Sequence, residues 1–141
     1  MNAALFAATR GIGRALARLL AARGDRIALL GRDPHELERS AADLEVRGAA
    51  GSVATVPCDL AEPGGFGPAL DAASQAFGRL DLVVVTAAVF ASQDELERDP
   101  ELCRRLLELD FTNTILFCEQ ARARLVAGGG GTLCVFSSVA G

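Results

Sequence analysis

The chain changes from an apolar run to an amphipathic one through the stretch Phe6-Ala7-Ala8-Thr9-Arg10-Gly11-Ile12-Gly13. This order predicts a strand, a tight turn and a helix. Gly11 and Gly13 let the backbone N–H groups of the turn approach an anion, and the N-terminus of the following helix favours negative charge. The stretch therefore predicts a turn that holds the pyrophosphate of a dinucleotide. The alternative is an ordinary turn between a strand and a helix.

The rest of the chain continues this alternation. Short, almost wholly apolar runs, typical of strands buried on both faces of a parallel sheet, occupy residues 3–7, 26–30, 52–56, 81–86 and 132–137. Helical patterns occupy residues 11–23, 33–48, 63–78, 93–98 and 100–127. Right-handed crossovers then give an α/β fold with a doubly wound, Rossmann-type parallel sheet, truncated after its fifth strand. We expect a single domain over residues 1–141, with its ligand at the carboxyl ends of the strands.

The first two helices have recognisable ends and faces. Gly24 is a suitable stop for the first helix, and Asp33 followed by a proline is a typical start for the second. Helical spacing places the large apolar side chains of the first helix on one face, and these are Ile12, Leu16, Leu19 and Leu20.

Composition narrows the class of protein. Half of the 141 residues are apolar and the net charge is −4, which is typical of a globular protein and does not favour nucleic acid as a partner. No run approaches the roughly 18 apolar residues of a membrane span, and the N-terminus does not resemble a signal peptide, so we expect a cytoplasmic location. The spacing of the four cysteines favours neither disulfides nor a metal site.

The turn resembles the Thr-Gly-x-x-x-Gly-x-Gly motif of the short-chain dehydrogenase/reductase family. The resemblance continues at the later strand ends over essentially the whole chain, and a Ser-Ser-Val-Ala-Gly segment at residues 137–141 closes it. It implies hydride transfer between a nicotinamide cofactor and a small-molecule carbonyl or alcohol, and a homo-oligomer in the complete enzyme. The cofactor-binding residues that it implies are Ala7, Thr9, Arg10, Gly11, Ile12, Gly13, Arg32, Asp59, Leu60, Thr86, Ala87 and Ala88.

Two arginines bear on the choice between NAD and NADP. An NAD site usually has a carboxylate at the end of the second strand, where this chain has Gly31 followed by Arg32. A guanidinium there suits the 2′-phosphate of NADP, and Arg10 could reach the same phosphate from the glycine turn. We therefore expect NADP rather than NAD. The alternative is that both arginines are ordinary surface residues, and we interpret Asp33 as a helix cap rather than a ribose ligand.

The chain departs from the family pattern at three places. Ala7 replaces the first glycine, and a positive φ at this alanine would cost about 1 kcal/mol. Where the family has Asn-Asn-Ala-Gly, this chain has Val-Thr-Ala-Ala at residues 85–88. The side chain of Val85 cannot form a hydrogen bond, whereas that of Thr86 can. The helical asparagine of the catalytic set aligns with Asp110, while Asn113, one turn further, is the alternative.

By the same resemblance Asp59 would accept a hydrogen bond from adenine, although a simple turn residue is the other interpretation.

Ser138 and Asp110 are the catalytic candidates that the resemblance implies. Ser138 matches the serine that holds the substrate carbonyl, with Ser137 as the second candidate and a merely polar strand end as the alternative. The family donates its proton from a tyrosine assisted by a lysine, and this sequence contains no tyrosine.

Two hypotheses therefore remain. The chain is either the cofactor-binding fragment of a carbonyl or alcohol oxidoreductase, inactive by itself, or a non-catalytic nucleotide-binding or protein-interaction module. An apolar edge at residues 132–136, which invites pairing, favours the first. For the chain alone, we expect weak or no NADP binding and no carbonyl reduction.

Overall fold

The computed structural model describes residues 1–49 and 51–138. Five strands form one parallel sheet in the spatial order β3-β2-β1-β4-β5. They are β1 (Asn2–Phe6), β2 (Arg26–Gly31), β3 (Val53–Pro57), β4 (Leu82–Val85) and β5 (Thr132–Val135). The predicted doubly wound sheet is therefore confirmed. Because the strand order reverses between β1 and β4, their carboxyl ends mark the switch point of the fold.

Helices cover both faces of this sheet. They are α1 (Gly11–Ala22), α2 (Pro34–Leu44), α3 (Phe66–Phe77), α4 (Gln93–Arg98), α5 (Pro100–Leu107) and α6 (Thr114–Ala127). A 3₁₀ turn at Pro63–Gly65 precedes α3, and π-helical segments follow α2 at Glu45–Ala49 and α5 at Glu108–Asn113. Within the described ranges, none of the helices combines the length and the apolar character needed to cross a bilayer.

The register of the strands brings their carboxyl ends to one level. Phe6 lies opposite Leu30 of β2 and Val85 of β4. The first strand ends one residue earlier than predicted because Ala7 adopts a φ of 64°, which breaks the extended conformation. The segments that follow β1, β2 and β4 therefore begin side by side.

Alternate residues of the strands serve two separate cores. Leu5 and Leu29 face α1 and α2, whereas Phe6 faces α3 and α6. On the second side the ring of Phe6 lies 4.7 Å from that of Phe117 and 6.4 Å from that of Phe66. Phe66 and Phe117 are fully buried. These three rings hold β1 against α3 and α6 just before the turn.

The face of α1 differs in part from the prediction, since Leu20 is buried and Leu16 partly buried as expected. Its buried residues are Gly13, Ala17, Leu20 and Ala21, while Ile12 and Leu19 are exposed. The small residues let the helix axis approach the sheet closely, and close approach takes precedence over burying the largest side chains.

The region predicted as one helix over residues 100–127 consists of α5, the π-helical segment and α6. A π-helical segment inserts extra backbone into a helix and changes which side chains face the core. Here it buries Leu109 and Asn113.

The fifth strand ends at Val135, two residues before the predicted end. Val135 and Phe136 are both 44% exposed, so the sheet has an apolar edge, as the sequence predicted.

Candidate functional site

A cleft of about 970 Å³ opens at the carboxyl ends of the strands. The structure brings every cofactor-binding residue implied by the resemblance to the lining of this one cleft. Those residues are Ala7, Thr9, Arg10, Gly11, Ile12, Gly13, Arg32, Asp59, Leu60, Thr86, Ala87 and Ala88. The cleft extends to α5, where Leu102, Arg105 and Leu106 complete its wall.

The glycine turn presents backbone N–H groups to the cleft. Ala7 donates its N–H to the Leu30 carbonyl at 2.9 Å and then turns the chain with its positive φ, and Gly11 has a φ of 51°. Arg10 precedes α1 in an extended conformation, its side chain does not cap the helix, and the first turn of α1 has no acidic residue. Because the first N–H groups of a helix have no partner within it, this end of α1 can bind an anion.

Gly13 permits direct contact between α1 and the ends of two strands. A Cβ atom added at Gly13 would lie 2.5 Å from Thr86 Oγ1 and 2.8 Å from Ala8 Cα. The Thr86 hydroxyl donates to the Phe6 carbonyl at 2.9 Å, and the Thr86 backbone N–H donates to the same oxygen. Thr86 therefore joins the end of β4 to the end of β1 behind the turn.

The two predicted arginines lie on the same side of the cleft. Arg10 and Arg32 are both exposed and both line it. Arg10 Nη2 lies 4.0 Å from Glu36 Oε1. Asp33 accepts hydrogen bonds from the N–H groups of His35 and Glu36, at 3.0 and 3.3 Å, so it caps α2 as the sequence predicted.

The loop after β3 lines the cleft next to the end of β2, where the Cys58 N–H donates to the Gly31 carbonyl at 2.9 Å. Asp59 accepts a hydrogen bond from the Ala61 N–H at 2.9 Å, which is the interaction of a turn residue, and it lines the cleft as well. The buried Asn113 amide donates to the Leu60 carbonyl at 2.9 Å. Asn113 thus supports the loop from behind, and its amide is not directed to the cleft.

Asp110 acts on the loop after β4. Its Oδ1 atom accepts a hydrogen bond from the Val89 N–H at 2.7 Å. Burial raises the pKa of this carboxyl group, and the bond from Val89 opposes that rise. Asp110 is absent from the residues that line the described cleft, so in this structure it positions the loop formed by residues 86–89.

The serine candidates follow β5. Phe136 lines the cleft and donates its N–H to the Val85 carbonyl at 3.0 Å. Ser137 and Ser138 come next and are exposed. Residues 139–141, which belong to the same motif, lie outside the described residues.

Sequence reasoning missed several residues of the cleft. Glu36 and Cys58 line its β2 and β3 side, and Arg105 lines it from α5. Burial, together with the neighbouring Asp59 carboxylate, raises the pKa of the Cys58 thiol to about 11, so this cysteine is a poor nucleophile. A first-turn acid such as Glu36 gives no signal of its own in the sequence, because its direction depends on how α2 packs against α1.

Comparison with known proteins identifies the family. The sequence model described as short chain dehydrogenase matches residues 2–141. The chain belongs to this family. It is 28% identical over 138 residues to dehydrogenase/reductase SDR family member 7B of Bos taurus, which covers 95% of the chain and 42% of that protein.

Solved structures of family members superpose closely. A short-chain type dehydrogenase/reductase from Mycobacterium ulcerans is 30% identical with a TM-score of 0.88, over 98% of this chain and 51% of that one. L-sorbose reductase from Gluconobacter frateurii, complexed with NADPH and L-sorbose, is 25% identical with a TM-score of 0.81, over 98% of this chain and 52% of that one. The chain spans about half the length of the relatives that it matches.

Proposed function

We propose that this chain is the NADP-binding part of a short-chain oxidoreductase that transfers hydride between nicotinamide and a small carbonyl or alcohol. It would form a single domain over residues 1–141. One observation carries the proposal: the uncapped N-terminus of α1 opens into the same cleft as Arg10 and Arg32. The NADPH complex of L-sorbose reductase, a structural neighbour, supports the choice of cofactor.

The residues present fit a dinucleotide. The N–H groups at the start of α1, which open into the cleft beside Gly11, suit a pyrophosphate. Gly13 lets this end of α1 pack directly against Thr86 and Ala8. Arg10 and Arg32 would hold the 2′-phosphate with charge-assisted hydrogen bonds. Asp59 and the Leu60 backbone would contact adenine, and residues 86–88 would lie along the nicotinamide half. When bound, the cofactor supplies or accepts the hydride.

The chain's own contribution to the chemistry is positioning. Ser138 would hold the substrate carbonyl through its hydroxyl, and Asp110 would keep the loop after β4 in place through Val89. A general acid is also required to protonate the alkoxide, and the 141 residues contain no tyrosine for this role. We therefore expect at most weak cofactor binding, and no carbonyl reduction, when this chain is assayed alone.

Calorimetric titration with NADP and NAD tests the proposal. The chain should bind NADP at least about tenfold more tightly than NAD. The reason is that a charge-assisted hydrogen bond to the 2′-phosphate is worth about 1.5–3 kcal/mol of binding free energy. Arg32→Gln should remove most of this preference and leave NAD binding unchanged. Arg98→Gln, an equal change of charge on the exposed helix α4, should have no effect.

Equal affinity for NADP and NAD in the unmodified chain would contradict the assignment of Arg10 and Arg32. Failure to bind either cofactor would favour the non-catalytic interaction module. Ketone-dependent oxidation of NADPH by the pure chain would contradict the expected lack of activity.

A further inference from the structure

Glu36 occupies the boundary between the nucleotide cleft and a second depression. It lines the cleft together with Arg10 and Arg32. It also lines a groove of about 180 Å³ between α1 and α2, where its neighbours include Arg14 and Arg39. The residue therefore belongs to both surfaces at once.

One carboxylate oxygen of Glu36 is shared between two guanidinium groups. Its Oε1 atom lies 3.1 Å from Arg39 Nη1 and 4.0 Å from Arg10 Nη2. Arg10 belongs to the cleft, whereas Arg39 belongs to the groove. The negative charge of Glu36 is thus the link between a cleft arginine and an arginine outside the cleft.

The exposure of these groups is unequal. The side chains of Arg10 and Arg39 are 78% and 79% exposed, but that of Glu36 is only 23% exposed. Long exposed arginine side chains can move into solvent, while the carboxylate is held beside the cleft. A partly enclosed charge is also screened less by salt than an exposed one. Glu36 therefore places a persistent negative charge next to the arginines proposed to hold a phosphate dianion.

Asp33, another acidic residue of the cleft, is engaged differently. One oxygen of Asp33 accepts two backbone N–H groups of α2, and these bonds spread its negative charge over the helix N-terminus. The partners of Glu36 are the arginines themselves. A phosphate that binds Arg10 must compete with Glu36 for it and then tolerate the carboxylate as a neighbour.

We propose that Glu36 is a specificity-determining residue that lowers the affinity of the cleft for a 2′-phosphate, and that Arg39 reduces this effect by neutralising Glu36. The inference rests on the proposed function, because it concerns the subsite of Arg10 and Arg32. Discrimination between NADP and NAD is then narrower than two arginines alone would give. Arg39 influences it without touching the ligand.

Binding of adenosine 2′,5′-bisphosphate and of 5′-AMP to the whole chain, measured by calorimetry, tests the proposal. Glu36→Gln should tighten bisphosphate binding about three- to fivefold, the effect of one exposed or half-exposed charge pair, and change AMP binding less than about twofold. Glu38→Gln is the matched control. It makes the same change two residues further along α2, on the opposite side of the helix, and should alter neither affinity.

Arg39 provides a second arm with the opposite sign. Arg39→Gln should weaken bisphosphate binding, because Glu36 loses its nearer partner. The same substitution in a Glu36→Gln background should have no effect. Adding salt should shrink the difference between Glu36→Gln and the unmodified chain. Thermal melting of each variant verifies that it is folded.

Three results would overturn the inference while leaving the proposed function intact. Glu36→Gln could leave bisphosphate binding unchanged or weaken it. It could also tighten the binding of both ligands equally, which would indicate a general electrostatic effect on the cleft rather than an effect on the 2′-phosphate. Arg39→Gln could weaken binding equally in the Glu36→Gln background, which would mean that Arg39 contacts the phosphate directly. Absence of binding of both ligands to every variant, by contrast, would overturn the proposed function together with this inference.

Discussion

Replacing Ala7 with glycine should stabilise the chain even though it removes a partly buried methyl group. Ala7 has a φ of 64°, and a left-handed conformation costs an L-residue about 1–2 kcal/mol that glycine avoids. Against this, glycine loses about 0.4–1 kcal/mol more backbone entropy on folding. The half-buried methyl packs against the core beside Phe6 and contributes about 0.4 kcal/mol, half the value of a fully buried one. The balance favours glycine by about 0.5 kcal/mol.

Ala8 supplies a matched control for the same loss of one methyl group. Its side chain is 2% exposed, and among the described non-glycine residues a positive φ occurs at Ala7 alone. Ala8→Gly therefore removes a fully buried methyl group and raises the entropy of the unfolded chain, and it relieves no strain. The free energy of unfolding should fall by about 1.5 kcal/mol. The two variants should differ in stability by about 2 kcal/mol.

Urea unfolding followed by far-ultraviolet circular dichroism is the suitable measurement, because the chain has no tryptophan or tyrosine for intrinsic fluorescence. The midpoint should rise for Ala7→Gly and fall for Ala8→Gly, with unchanged slopes. The reasoning fails if Ala7→Gly is less stable than the unmodified chain, since the left-handed conformation would then carry no net strain.

Two further substitutions test the contacts around the cleft. Gly13→Ala should cost about 1–3 kcal/mol of unfolding free energy, because its Cβ would lie 2.5 Å from Thr86 Oγ1; a denaturation midpoint equal to that of the unmodified chain would disprove this close packing. Asp110→Asn should stabilise the chain at neutral pH, because it keeps an acceptor for the Val89 N–H and removes a charge. Burial raises the folded-state pKa of Asp110, so its ionisation opposes folding above that pKa. The advantage of asparagine should therefore disappear in acid, and an advantage independent of pH would count against this account.

The order of elements was predictable because it depends on local patterns and on chain handedness. Uniformly apolar runs identified all five strands of the described sheet, and right-handed crossovers allowed few arrangements of them. The cofactor-binding residues at the strand ends could be selected from the resemblance, since parallel strands bring their carboxyl ends to one edge. Their roles in binding remain predictions.

Features that depend on packing between distant segments could not be predicted. The pattern over residues 100–127 is compatible with one regular helix, whereas the structure has a π-helical segment whose buried Asn113 contacts Leu60, in a loop far away in sequence. Periodicity selected Ile12 and Leu19 for the buried face of α1, whereas the sheet requires Gly13 and Ala17 there. Glu36 was missed for a similar reason, because its contact with Arg10 joins α2 to the turn that precedes α1.

Phe6 has a consequence for engineering the nucleotide site. Its carbonyl accepts both hydrogen bonds from Thr86, and its ring packs against Phe66 and Phe117 on α3 and α6. Main chain and side chain of one residue thus connect the glycine turn to the helices on the far face of the sheet. Repacking Phe117 should shift the turn without altering any group that touches a ligand. Libraries designed to change nucleotide affinity should therefore include Phe66 and Phe117, although neither residue lines the cleft.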